Sequence, residues 1–236
     1  MPNIFDIIEN ILIEGLCNFL DNALSCAFCV GYLNLRGWQQ VADAIEHLQG
    51  GDEQHACRVL LGMHRPPEED MRLLQSLCRE EEPPDGPMLA RLKEKITQSF
   101  KEQLAFGIPT NEAEETLRTL ARQLRARKVY VKAFLRYPLH AKLYLVRRRD
   151  NVTPLIGFVG SSNLTLAGLK RQGELNVDVV EQDAAQKLLR WFDERWNDDH
   201  AFDLTDELAS QIEKSWASEK LVRPYHVYLK IAYHLS

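Results

Sequence analysis

Leu139-His-Ala-Lys-Leu-Tyr-Leu-Val146, followed by Pro154-Leu-Ile-Gly-Phe-Val159 and Gly160-Ser-Ser-Asn163, is the stretch around which the rest of the chain organises. Leu139, Ala141, Leu143 and Leu145 alternate with His140, Lys142 and Tyr144. Period-two alternation is the mark of a strand with one buried face, so His140 and Lys142 are expected on the same side, about 6.6 Å apart along the strand. Pro154 to Val159 reads as a second strand, joined to the first through the polar run 147–153, which suits a hairpin loop. Small and hydroxyl residues at its end, Gly160-Ser161-Ser162-Asn163, then a short helix over Leu164 to Lys170, predict a cradle of N–H groups, a hydroxyl and an amide fit for an anion. Glu174 follows, at the start of an apolar run, Leu175 to Val180, that reads as a core strand. Together His140, Lys142, Ser161, Asn163 and Glu174 supply a nucleophile, a cation, hydrogen-bond donors and a carboxylate suited to phosphodiester chemistry.

Outward from this stretch the order is mixed. Strands are expected at Cys26 to Leu33, Arg58 to Met63 and Val129 to Leu135. Helices are expected at Gly37 to Leu48, Glu68 to Arg79, Met88 to Phe106 and Asn111 to Arg127, the last opened by Asn111 and Glu114 placed like a capping box. Helical stretches close the chain at Asp183 to Trp196, Thr205 to Trp216 and Tyr225 to His234, with Trp191, Trp196 and Trp216 as packing anchors. Helices between strands argue an α/β fold: a mixed sheet flanked by helices over residues 1–198, with a helical insertion at about 66–127, and a helical extension over 199–236.

The chain of 236 residues is long enough for a full core. Its N-terminal stretch Ile4 to Leu20 is apolar but broken by Asp6, Glu9 and Glu14, which argues against a membrane span and a signal peptide and for an amphipathic helix of a cytoplasmic protein. Five cysteines are scattered, and Cys26 and Cys29 sit in an apolar run whose alternation points them to opposite faces as core thiols. No second pair completes a zinc set, so no metal or cofactor is expected.

Charge is distributed unevenly. Between Arg122 and Arg171 there are 12 Lys and Arg against one acidic residue, Asp150, in a chain whose net charge is −5. Arg136, Arg147, Arg148, Lys170 and Arg171 bracket the motif within this basic band, which points to a polyanionic substrate contacted through its backbone.

His140-x-Lys142 with Gly160-Ser161-x-Asn163 resembles the signature of the phospholipase D superfamily. The resemblance implies that His140 is the nucleophile, Lys142 the phosphate-binding lysine, Ser161 and Asn163 the polar pair and Glu174 the acidic residue. The usual aspartate after four residues from the lysine is replaced by Arg147; Asp150 lies three further on. Gly31-Tyr32 with Gly37-Trp38, and the pattern from Leu204 through Lys230, resemble a phospholipase D-like domain at the N-terminus of bacterial Swi/Snf-type and DEAD/DEAH-box helicases. No Gly-x-x-x-x-Gly-Lys-[Ser/Thr] loop is present, so a helicase would be a further domain or a partner.

Only one His-x-Lys occurs in the chain, and the family's site uses two. The resemblance therefore implies a homodimer in which one His140 attacks phosphorus, giving a phosphohistidine, and the other protonates the leaving oxygen, without a metal. A nuclease acting on DNA or RNA is the expectation. A catalytically inactive nucleic-acid-binding or dimerisation module is the alternative, and a phospholipid phosphodiesterase a third.

Overall fold

The computed structural model describes residues 2–6, 10–62, 94, 97–98 and 110–214. Its strands are β1 (Ile4–Phe5), β2 (Ala23–Val30), β3 (Cys57–Leu61), β4 (Val129–Phe134), β5 (Leu143–Arg148), β6 (Leu155–Gly160), β7 (Asn176–Val179) and β8 (Ala201–Asp203). They form one eight-stranded sheet in the order β1-β7-β6-β5-β2-β3-β4-β8. The pairs β2–β3 and β3–β4 are parallel and the others antiparallel, so the expected mixed sheet is present.

Helices cover both faces. α1 (Leu12–Leu20), α2 (Leu35–Trp38), α3 (Ala42–Glu46), α4 (Asn111–Arg125) and α6 (Thr205–Glu213) bury their apolar residues on one face, with Phe28, Val59, Val131 and Tyr144 of the strands. α5 (Gln182–Trp196) covers the other through Ala185, Leu189, Phe192 and Trp196, against Leu60, Leu143 and Leu145. Strands covered on both sides need apolar residues at successive positions, which is why Cys26 and Cys29 belong to different cores and are both buried.

Several elements differ from their sequence reading. Ile4 and Phe5 form an edge strand on β7 rather than the start of a helix, because buried Asp178 accepts from the Asn3 backbone N–H at 2.6 Å and from Asn3 Nδ2 at 2.7 Å. The single helix expected over Gly37 to Leu48 is two short ones, α2 and α3. Buried Gln123 of α4 holds them together, accepting from Trp38 Nε1 at 3.1 Å and donating to the Ala42 carbonyl at 2.8 Å. The cap of α4 is Thr110, whose hydroxyl accepts from the Ala113 N–H at 3.1 Å, not Asn111.

In β7 the alternation is inverted. Asn176 and Asp178 are buried while Leu175 and Val177 face outward, because the two polar side chains find partners in Ser162 and Asn3. Residues 201–203, read as the opening of a helical extension, add β8 to the sheet beside β4. Trp196 is buried as expected and donates Nε1–H to Glu53 at 2.8 Å. The expected helices Glu68 to Arg79, Met88 to Phe106 and Tyr225 to His234, together with Trp216, lie wholly or mostly outside the described residues.

Candidate active site

Antiparallel pairing places the start of β5, the end of β6 and the start of β7 at one end of the sheet, with Leu143 opposite Val159 and Gly160 opposite Asn176. His140, Lys142, Ser161, Asn163 and Glu174 are thereby brought to a common rim, although they span 35 residues of sequence. His140 and Lys142 stand just before β5 instead of within it. The odd positions Leu139, Leu143 and Leu145 are buried as the alternation requires, yet Tyr144 and Val146 on the even face are buried too, since helices lie on both sides.

His140 is exposed and Lys142 is buried, with 6 % of its surface accessible. The Lys142 ammonium lies 2.8 Å from His140 Nδ1 and 2.9 Å from Nε2, and donates to the His140 carbonyl at 3.0 Å. It can donate to whichever ring nitrogen lacks a proton, so the single lone pair of a neutral imidazole is engaged by a fixed cation. Burial pulls the Lys142 pKa below its ordinary value, while the Glu174 carboxylate pulls the other way. Burial also pushes the Cys29 thiol up to about 12, which keeps it neutral.

The turn after β6 is built by its neighbours. Ser162 is buried: its N–H donates to Asn176 Oδ1 at 3.3 Å, its hydroxyl accepts from Asn176 Nδ2 at 2.7 Å, and its carbonyl accepts from the Tyr144 hydroxyl at 2.8 Å. The Ser161 N–H donates to the Leu175 carbonyl at 3.1 Å and its Oγ accepts from the Leu175 N–H at 3.1 Å, clamping the turn to the strand that follows Glu174. Asn163 Oδ1 accepts from the Tyr32 backbone N–H at 3.0 Å. An N–H can bond only the oxygen of the amide, so the Asn163 Nδ2 donor faces away from Tyr32 and is available to an anion.

Gly160 has no room for a side chain. A Cβ there would meet the Leu175 carbonyl oxygen and the Asn176 side chain, and would lie 2.6 Å from Asn176 Cα. Gly160→Ala is expected to lower stability by about 1–3 kcal/mol through overpacking, read by denaturant titration. An unchanged midpoint would mean that the β6 end can move off β7.

The proposed substrate-contacting residues are not all together. Arg147 is five residues beyond Lys142, about 17 Å along the strand, at the far end of β5. There it lines a cavity of about 360 Å³ with Glu53, Arg58 and Asp193. The residue in place of the usual aspartate thus lies well away from the His140 rim. Arg136 is engaged by Asp198 through Nε at 2.9 Å, and Arg148 lies over the Phe19 ring and 3.6 Å from Asp150. Lys170 is exposed on the π-helical turn Ala167–Arg171; the Arg171 side chain lies outside the described residues.

Elsewhere in the basic band charge is neutralised internally: Arg125 by Glu213, Arg127 by Asp206 and Lys128 by Glu46. Among the described residues, Arg122, Lys142, Arg147, Arg149 and Lys170 of the band have no carboxylate within ion-pair distance, Arg122 bonding Thr119 and Lys142 bonding His140 instead. Sequence reading passed over Tyr144 and Asn176, and noted Tyr32 only as part of a resemblance. Their roles depend on partners 18, 14 and 131 residues away. No group of three or more His, Cys, Asp or Glu placed to hold a metal ion occurs among the described residues.

The family model described as "Cardiolipin synthase, PLD-like domain" matches residues 16–196. The chain belongs to the phospholipase D superfamily. Among solved structures, this phospholipase D-like chain is similar to Nuc from Salmonella typhimurium, a phospholipase D family member, at 13 % identity, covering 86 % of this chain and 97 % of that one with a TM-score of 0.48. NucT from Helicobacter pylori is similar at 7 % identity, covering 86 % and 98 % with a TM-score of 0.48. Phosphatidylserine synthase from Haemophilus influenzae Rd KW20 is similar at 11 % identity, covering 90 % of this chain and 44 % of that one with a TM-score of 0.48. A search of curated proteins finds no match. Among the described residues no helix of this phospholipase D-like chain is long and apolar enough to cross a membrane.

Proposed function

We propose that this phospholipase D-like chain is a nuclease that cleaves phosphodiester bonds of nucleic acid through a phosphohistidine on His140. The observation that carries the reading is the pairing of an exposed His140 with a buried Lys142 whose ammonium lies within 3.0 Å of the ring nitrogens.

A non-bridging oxygen takes over the Lys142 hydrogen bond and frees the imidazole lone pair, which attacks phosphorus as the bond to the leaving oxygen breaks and that oxygen takes a proton from a general acid. Water then attacks phosphorus, the phosphorus–nitrogen bond breaks with its electron pair returning to His140, and the water's proton passes to the group that had protonated the leaving oxygen. Lys142 and the Asn163 amide hold non-bridging oxygens, and the negative charge that grows on them is stabilised by donors already in place. Ser161 orients the turn, and Glu174 stabilises the cation that forms beside it. No metal enters this scheme.

One imidazole cannot both carry the phosphoryl group and protonate the leaving oxygen. The second His140 comes from a second subunit, so the enzyme is a homodimer with two half-sites joined at this rim. The unpaired cations Arg147, Arg149 and Lys170 support a polyanionic substrate, and the helicase-like patterns around Tyr32 and after Leu204 support work with a helicase, in one chain or as partners, in the cytoplasm. The description of the matching family as cardiolipin synthase favours a second reading, a phospholipid substrate at the same rim.

Incubation of the full chain with single-stranded and duplex DNA and RNA, with chelator present, tests the proposal. Cleavage with chelator is the expected result. Headgroup release from phospholipid vesicles with no cleavage of any nucleic acid would transfer the site to lipid.

A further inference from the structure

Of the aromatic side chains in the described residues, only Tyr32 and Tyr137 are exposed, at 46 % and 42 %. Both belong to the end of the sheet that carries His140. Tyr32 follows β2, the strand beside β5, and its backbone N–H is bonded to Asn163, so its position is tied to a phosphate-binding residue. Tyr137 is three residues before His140, a span of about 10 Å at most. Its ring packs edge-on against buried Phe134 with centroids 4.9 Å apart. Downstream, the Leu139 N–H donates to the Gly62 carbonyl at 2.8 Å, which anchors the segment leading to His140.

The Tyr137 ring is backed by Phe134, Tyr32 is fixed at its backbone by Asn163, and both side chains are exposed, which suits them to bind flat partners. Resting on the nuclease reading above, we propose that Tyr32 and Tyr137 stack on unpaired bases of a single-stranded nucleic acid whose phosphate lies at His140. Every base has a π-face, so such a platform tolerates sequence, and it discriminates against a duplex, whose bases are already stacked inside. Phosphate contact through Lys142 and Asn163 gives no preference between strands and duplex; the two tyrosines supply it. Tyrosine suits both tasks, with an apolar face for the base and a hydroxyl for water.

Binding and cleavage are measured separately on the full chain, using a short single strand, the same strand with abasic sites flanking the scissile phosphate, its duplex and phosphatidylglycerol vesicles. The single strand is expected to bind best. Tyr32→Ala and Tyr137→Ala are each expected to weaken that binding about 5- to 100-fold, the phenylalanine variants to retain it, and the abasic strand to be insensitive to all four. Equal losses on intact and abasic strands would overturn stacking, as would losses confined to vesicles or a change of oligomeric state in the alanine variants. Tyrosine-dependent single-strand binding without cleavage overturns the nuclease reading and keeps the platform; cleavage indifferent to both tyrosines does the reverse.

Discussion

Replacing His140 with alanine is expected to reduce phosphodiester cleavage by at least about 10³-fold, with folding unchanged. The imidazole is exposed and does not belong to either core, so its removal leaves no cavity. What disappears is both the atom that attacks phosphorus and, in the other half-site, the acid that protonates the leaving group. Mixed dimers sharpen the test: if each site needs two histidines, a wild-type subunit paired with a His140→Ala subunit has no complete site. Residual activity of half the wild-type value in such mixed dimers would instead mean that one chain holds a whole site. Turnover is read with a labelled oligonucleotide and folding by circular dichroism.

Lys142→Met is expected to lower cleavage by about 10²- to 10³-fold, the size of effect seen when a preplaced donor to a developing oxyanion is lost. It is also expected to leave the melting temperature no lower. A buried cation is costly, and methionine fills similar volume with no charge to desolvate. The same burial sets a pH dependence. Lys142 has a folded pKa below its ordinary value of 10.5, so the folded chain favours the neutral amine. The stability cost is therefore fully present while the lysine is charged in both states, and fades as pH rises through the folded pKa to the ordinary value. Activity runs the opposite way, since the charged form binds phosphate: the rate falls on the alkaline side at a pH below 10.5. A wild-type pH profile flat to that value would contradict the buried-cation account, and a Lys142→Met variant with full activity would remove the lysine from the mechanism.

Legibility varied with how far away the deciding partner was. The pairing of β5 with β6 was readable because hairpin partners are close in sequence, and the motif residues they carry were all named. In β7 the apolar letters pointed the wrong way, because the burial of Asn176 and Asp178 depends on Ser162 and on Asn3, the latter 175 residues distant. The short strand at Ile4 is unreadable for the same reason: its partner lies far along the chain. The cap of α4 was missed by a single residue, since Thr110 and Asn111 both have capping side chains and only backbone geometry separates them.

The basic band shows what a charge count leaves out. Twelve cations in one segment pointed to a polyanionic substrate, and in the structure Glu46, Asp198, Asp206 and Glu213 return from elsewhere to pair with several of them. Formal charge counts cannot anticipate that, because ion pairing is decided by distances of a few ångströms between segments that a count treats as separate.

By itself, the sequence determined the mixed α/β class and the superfamily signature, and with it the groups proposed to attack phosphorus, hold its oxygens and stabilise charge. Those properties follow from residue type and local period, which are carried by neighbouring positions. Only the tertiary structure decided that Lys142 is buried beside an exposed His140 and that Tyr32 is tied to Asn163. Each of these depends on strands that pair across long stretches of chain, where free energy is set by who is packed against whom in space and not by the order of residues along the backbone.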